Sequence, residues 1–205
     1  AFDTIVPTAR HIDFVEYKAT REKMPEDLAI SIPYVKKLIE AFNIPILYKD
    51  GFEADDVIGT LAKQAEEKGF ITYMMTPDKD FGQLVTDKTF IYKPARMGDK
   101  AEVMGVKEVC EKFGIQRPEQ VIDILGLWGD ASDNIPGIPG IGEKRAKELI
   151  AEFGSIENVL DNTDRLKGKI KENVEAFREQ GLLSKSLATI ILDVPIEFNE
   201  ENLKI

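Results

Sequence analysis

The stretch Asp55-Asp56-Val57-Ile58-Gly59-Thr60-Leu61-Ala62, running on through Gly69 to Phe70-Ile71-Thr72-Tyr73-Met74-Met75, decides the fold. Val57, Ile58, Leu61, Ala62 and Ala65 fall on one face of a 3.6-residue period, which predicts a helix over 55–68 that Gly69 stops. The run 70–75 then predicts a strand. Upstream, 28–42 reads as a helix with Ile30, Val35, Leu38 and Ile39 as its apolar residues, 44–47 as a strand, and Asp50-Gly51 as a turn. Downstream, a helix opens near Asp78 and takes in Phe81 and Leu84, and Phe90-Ile91-Tyr92 reads as a third strand. This alternation predicts βα units, an α/β core with a parallel sheet. From Val106 onward the strand signal nearly vanishes, and helices are expected at 106–113, 118–128, 142–152 and about 170–190. The expected organisation is an α/β core over 1–105 and an all-α region over 106–205.

Of the 205 residues, 43% are hydrophobic, enough for one large core or a core with a smaller helical annex. No apolar run nears the ~18 residues of a membrane span, and no signal-peptide pattern opens the chain, so a soluble, intracellular protein without a membrane partner is expected. The lone Cys110 cannot close an internal disulfide, and its place in the stripe Val106, Val109, Phe113 predicts a core position. The net charge of −10 sits awkwardly with nucleic-acid binding. Basic residues nevertheless gather: Arg10, His11, Lys18, Arg21 and Lys23, then Lys144, Arg145 and Lys147, then Lys167, Lys169 and Lys171. Each run alone also suits a solvated helix face.

Eight of the 37 acids lie in four clusters: Asp3; Glu53, Asp55 and Asp56; Asp78 and Asp80; Asp130 and Asp133. In a parallel α/β sheet the ligand crevice lies at the carboxyl ends of the strands, where the first three clusters would arrive. Glu53 and Asp56 share a helix face at i,i+3, and Asp130 and Asp133 have the same spacing. Two unit charges ~4 Å apart repel by about 4 kcal/mol at an effective dielectric of ~20. Divalent cations or shared protons relieve such a cluster. Oxygen ligands without His or Cys suit Mg²⁺ or Mn²⁺, and two such ions serve phosphodiester hydrolysis. The plainer reading makes Asp55 and Asp78 helix caps. His11 is the lone histidine and is expected at the surface, so a Ser-His-Asp centre has no support. The turn carrying Gly137, Gly140 and Gly142 could hold a phosphate on its amides, with Lys144 and Arg145 adding charge; it is not a nucleotide-binding loop, because no strand precedes it.

Several segments together resemble a known family: Ala1-Phe2-Asp3, Tyr17-Lys18-Ala19-Thr20-Arg21, Met24-Pro25-Glu26-Asp27-Leu28, residues 51–60, Thr76-Pro77-Asp78-Lys79-Asp80, Gly129-Asp130-Ala131-Ser132-Asp133-Asn134, Pro139-Gly140-Ile141-Gly142-Glu143-Lys144 and Phe153-Gly154-Ser155. The chain resembles the 5′-nuclease modules at the amino end of bacterial DNA polymerase I, related to flap endonucleases. The resemblance implies a PIN-like, resolvase-like core and a helix–turn–helix region with a helix-hairpin-helix-like motif at 136–147, gripping duplex DNA and holding K⁺ on backbone carbonyls. It implies one metal site from Asp3, Glu53, Asp55 or Asp56, and Asp78, and a second from Asp80, Asp130 and Asp133. Residues 10–27 would form a mobile helical arch, with Lys18 and Arg21 on the phosphate near the cut, Tyr17 offering a stacking face, and Arg10 on DNA. Being polar, that segment is expected to have little to pack on without DNA. The implied substrate is DNA with a 5′ flap, nick or 5′ end. The implied setting is a monomeric bacterial cytoplasmic protein, near the nucleoid, joined to polymerase domains. The family pattern opens with an earlier strand bearing another metal-binding Asp, and this chain starts at the pattern's third strand. The alternatives are therefore a catalytically incomplete DNA-structure-binding piece and an RNA-cleaving enzyme of the related PIN type.

Overall fold

Two units divide the computed structural model, which describes residues 1–95 and 100–204: one combines Ala1–Gly69 with Ile191–Ile205, the other is Phe70–Ile190. In the first unit lie α1 (Ala9–Asp13), α2 (Glu26–Ala41) and α3 (Ala54–Glu67). The expected face of α3 is met in Val57, Ala62 and Ala65, which are buried. A second, polar stripe recurs every four residues and was not anticipated. Asp56 accepts from the Ile191 amide (2.9 Å), Thr60 donates to the Ile191 carbonyl (3.2 Å) and accepts from the Val194 amide (3.2 Å). Gln64 bonds the Ile196 carbonyl (3.0 Å) and the Phe198 amide (2.7 Å), and Lys68 the Phe198 carbonyl (2.7 Å). The i,i+4 spacing keeps these side chains on one face, where they satisfy the backbone of an extended strap that forms no strand among the described residues.

The strands expected in this unit do not form among the described residues. The 44–47 run and the residues before Asp3 form no strand; the Phe2 amide bonds the Leu47 carbonyl at 3.0 Å, but Pro45 lacks an N–H and one such bond is no ladder. Helix α2 forms, yet it buries no side chain, and Ile30, Val35 and Leu38 of its apolar face are exposed.

The second unit holds β1 (Thr72–Met75), β2 (Thr89–Lys93), β3 (Glu102–Met104), α4 (Val106–Phe113), α5 (Val121–Trp128), α6 (Glu143–Phe153), α7 (Ile156–Asp161), α8 (Gly168–Ala176) and α9 (Arg178–Ala188). The sheet order is β1-β2-β3, with β1 parallel to β2 (Tyr73 opposite Phe90) and β2 antiparallel to β3 (Ile91 opposite Met104). The sheet is therefore mixed rather than parallel throughout. Of the three strand ends expected to deliver acids, β1 alone is a strand among the described residues; it leads to Asp78 and to a 3₁₀ turn at Asp80–Leu84.

Helix α5 anchors the helical region. Val121, Ile124, Leu125 and Leu127 are fully buried, each worth about 1.5–3 kcal/mol against exposure. Helix α9 lies against it at Gly126, where an added Cβ would sit 2.9 Å from Lys185 Cβ. The expected 170–190 helix is two helices, broken at Phe177, whose φ of −113° leaves the helical range. Cys110 is half-buried, not core, although Val109 and Phe113 beside it are buried. Among the described residues, no helix is long and apolar enough to cross a membrane.

Candidate metal centre and nucleic-acid interface

Carboxylates of the first unit gather at the start of α3. The Asp3 Oδ1 accepts the Ala54 amide at 2.7 Å, so Asp3 caps this helix from fifty-one residues away in sequence. Asp56 Oδ2 accepts the Glu53 amide at 3.1 Å. Asp56 is fully buried and takes a two-pronged bond from Arg10, Nη1 to Oδ2 at 2.8 Å and Nη2 to Oδ1 at 2.7 Å. Burial alone would lower the Arg10 pKa, but Asp56 and Glu53 more than reverse it. Burial alone would raise Asp56, and Arg10 with the Ile191 and Glu53 amides holds it below the ordinary aspartate value. Asp56 is thus a structural partner with its oxygens occupied, and Arg10 is buried rather than presented to a phosphate.

Glu53 is reached by two other side chains. Lys18 Nζ lies 2.8 Å from Oε1, and Tyr17 Oη donates to Oε2 at 3.2 Å. Lys18 holds a left-handed backbone (φ +57°), which costs a non-glycine residue about 1–2 kcal/mol. Its ammonium also sits 5.0 Å from the Tyr17 ring centre. Tyr17 is only 4% exposed and contacts His11 edge-on at 5.3 Å, so it offers no open stacking face. His11 in turn pairs through Nδ1 with the Thr8 hydroxyl at 2.8 Å, which orients its ring, and it is half-buried rather than at the open surface. The expectation that 10–27 has little to pack on fails at Arg10 and Tyr17, because both bury against the acids of α3. Arg21, by contrast, is exposed.

The second unit carries the other acids. Asp78 Oδ1 accepts the Asp80 amide at 2.9 Å, closing the turn that leads into the 3₁₀ segment. Lys79 Nζ bonds Asp130 Oδ2 and lies 3.2 Å from Asp80 Oδ1. Asp130 Oδ1 accepts the Ser132 amide (2.8 Å) and hydroxyl (2.6 Å). Asp80 Oδ1 is buried and receives no directed hydrogen bond; Lys79 meets it as an ion pair. Burial, offset in part by Lys79 and reinforced by Asp78 and Asp130, pushes the Asp80 pKa up to about 7. Burial would also raise Asp130, but Lys79 and Ser132 bring it below its usual value. Among the described residues, no three Asp, Glu, His or Cys side chains are grouped so as to hold a metal ion. Instead Lys18, Arg10 and Lys79 contact the carboxylates.

The glycine turn links α5 to α6. Gly137 is buried at φ +62°, its amide donating to Ser184 Oγ (2.9 Å) and its carbonyl accepting from Gln180 Nε2 (2.7 Å). A Cβ there would lie 2.4 Å from the Gly129 nitrogen, so its part is close packing. Gly140, Gly142, Lys144 and Arg145 are exposed, and an open cleft at the start of α6 is lined by Gly142, Glu143, Lys144, Arg145 and Glu148. Arg145 is paired with Glu148 at 2.8 Å.

Residues 1–114 match the family model of the 5′-3′ exonuclease N-terminal resolvase-like domain, and residues 116–205 that of the 5′-3′ exonuclease C-terminal SAM fold. The chain belongs to the 5′-3′ exonuclease family. DNA polymerase I of Bacillus subtilis is 45% identical over 205 residues, covering 100% of this exonuclease chain and 23% of the polymerase. DNA polymerase I of Thermus filiformis is 42% identical over 204 residues, 99% of this chain and 24% of that one. The exonuclease chain thus spans about a quarter of the length of the polymerases it matches. Among solved structures, the T5 D15 protein co-crystallised with metal ions superposes with a TM-score of 0.76 at 25% identity, over 91% of this chain and 73% of that one. T5 5′-exonuclease with bound divalent zinc superposes at 0.74, again with 25% identity, over 91% and 71%. The α/β resolvase-like core with a helical C-terminal region is the fold the sequence predicts.

Proposed function

We propose that this exonuclease is a divalent-metal-dependent module acting on 5′ ends, nicks and flaps of DNA, within a longer bacterial polymerase chain that serves primer removal and repair. The observation that carries the metal reading is Asp80. A buried carboxylate oxygen with no directed donor, beside Asp130 and Asp78, fits a hard cation better than it fits a hydrophobic core. Asp78, Asp80, Asp130 and Asp133 would hold one ion, and Asp3, Glu53 and Asp55 contribute to a second, with Asp56 reserved for Arg10. Bound Mg²⁺ or Mn²⁺ supplies Lewis-acid activation of water and neutralises the leaving oxygen.

The chain's own residues would do the rest. Arg21 and Lys18 present positive charge to the phosphate near the cut, and the Tyr17 hydroxyl holds Glu53 in place. The amides at Gly140 and Gly142, with Lys144 and Arg145, would grip duplex phosphates, while Gly137 keeps the turn's shape. K⁺ would sit on turn carbonyls at 136–142; those of Gly137, Ile138, Pro139 and Gly142 each accept one protein hydrogen bond and keep a second lone pair. The division at residue 105, the arch at 10–27, a monomeric state and a place in the bacterial cytoplasm near the nucleoid belong to the same reading.

Incubation of a 5′-labelled DNA flap with Mg²⁺ tests this function. Cleavage that is lost in Asp80→Ala and Asp130→Ala supports it. Tight flap binding without cleavage would favour the DNA-structure-binding alternative, and preference for an RNA flap would favour the PIN-type one.

A further inference from the structure

Lys79 stands out because its neighbours leave it a task that structure alone does not explain. It lies in the turn between β1 and the 3₁₀ segment, with Asp78 and Asp80 on either side in sequence, and its ammonium reaches Asp130 fifty-one residues away. Its side chain is 30% exposed, so the four-carbon stem can swing toward solvent without any backbone change. The partners are deeper: 14% exposure for the Asp80 side chain and 7% for Asp130. A structural ion pair would satisfy both acids, and this one does not, because Asp80 Oδ1 keeps no directed hydrogen bond. The ammonium therefore balances charge at this cluster without a directed bond to Asp80 Oδ1. A divalent ion reaching the same two oxygens would bring twice the charge and would repel the ammonium at contact distance.

We infer that Lys79 is a tethered counter-ion, seated between Asp80 and Asp130 in the metal-free chain and displaced toward solvent when a divalent cation binds, so that it sets the affinity of this site. The inference rests on the metal reading of the same acids. It assigns Lys79 a positioning role, holding the carboxylates together before the ion arrives at the cost of weakening that ion's binding. A metal-competent state populated about one tenth of the time weakens apparent affinity about tenfold.

Titration calorimetry with Mn²⁺ and no DNA, on the 205-residue chain, tests this without turnover. Lys79→Met is expected to bind Mn²⁺ about tenfold tighter than wild type, and Mn²⁺ to raise its Tm by more. Lys79→Gln, which keeps a donor but not the charge, is expected to tighten binding too and stands in should the methionine variant fail to fold. Lys79→Arg, which keeps the charge, should bind no tighter than wild type. Lys107→Met makes the same change of charge at an exposed residue paired with Glu111, and should leave affinity unchanged. The inference is overturned if the Lys79 variants bind no tighter than wild type, or if Lys107→Met tightens binding equally. Absence of Mn²⁺ binding by wild type and variants alike would overturn it together with the metal reading, whereas wild-type binding that Lys79→Met does not improve would overturn the counter-ion alone.

Discussion

Arg10 and Lys79 both face pairs of carboxylates, yet the two regions are built for different ends. The Arg10 guanidinium makes a two-pronged bond to an aspartate that is wholly buried, and that aspartate is further fixed by two backbone amides. The Lys79 ammonium is a flexible point charge beside an oxygen that receives no directed bond. Guanidinium geometry matches a carboxylate and locks it, whereas an ammonium can leave. The difference separates acids that serve as architecture from those the proposed metal site would use: Asp56 holds the strap at 191–198 to α3, whereas Asp80 and Asp130 are the acids assigned to the proposed ion.

Breaking the locked region should cost the most. Arg10→Ala strands a buried carboxylate, and urea unfolding should show a loss of about 3–5 kcal/mol; a loss within 1 kcal/mol, on the order of a surface ion pair, would erase the contrast. Next comes Gly137→Ala, whose Cβ would meet the Gly129 backbone from a left-handed conformation. Overpacking and strain together predict a loss of about 3 kcal/mol, read by the same unfolding curve. In the metal-free chain, Lys79→Met should cost less, about 1–2 kcal/mol, because its side chain is partly solvated. Gly142→Ala, with open space around it and an ordinary φ of −89°, should stay within about 0.5 kcal/mol.

Acid separates the regions by sign. Asp56 has its pKa held below the ordinary aspartate value of 3.8, so its contribution is present above that pH and is lost as pH falls through the folded value. Asp80 is the reverse. Its folded pKa of about 7 exceeds the unfolded 3.8, so between those values the folded chain binds more protons and gains stability as pH falls. In chelator, thermal unfolding from pH 7 toward pH 4 should show this gain, and Asp80→Asn should flatten it. An unchanged slope in that variant would assign the effect to other groups.

Much of the fold was legible because amphipathic periods are local. Helices α3, α4 and α6 announce themselves in apolar spacing, and Gly69 and Gly114 mark where two of them stop. The 44–47 run misled because apolarity makes a strand only where a neighbour supplies a ladder. The three-residue β3 is too short for a period, and the break at Phe177 has neither glycine nor proline to mark it. Of the candidate site, the acids were legible by type and clustering. Their partners were not: Arg10 with Asp56, Lys18 with Glu53 and Lys79 with Asp130 are separated by dozens of residues and leave no local trace. One signal was available and unread, the four-residue recurrence of Asp56, Thr60, Gln64 and Lys68 on the side of α3 that receives the strap.

Cleavage of a 5′-labelled DNA flap by the wild-type chain and by Asp80→Ala, each with Mg²⁺ and with chelator, bears most directly on the whole account. Cleavage only by wild type and only with Mg²⁺ is the expected result. Cleavage that survives the chelator, or that Asp80→Ala leaves undiminished, would contradict it.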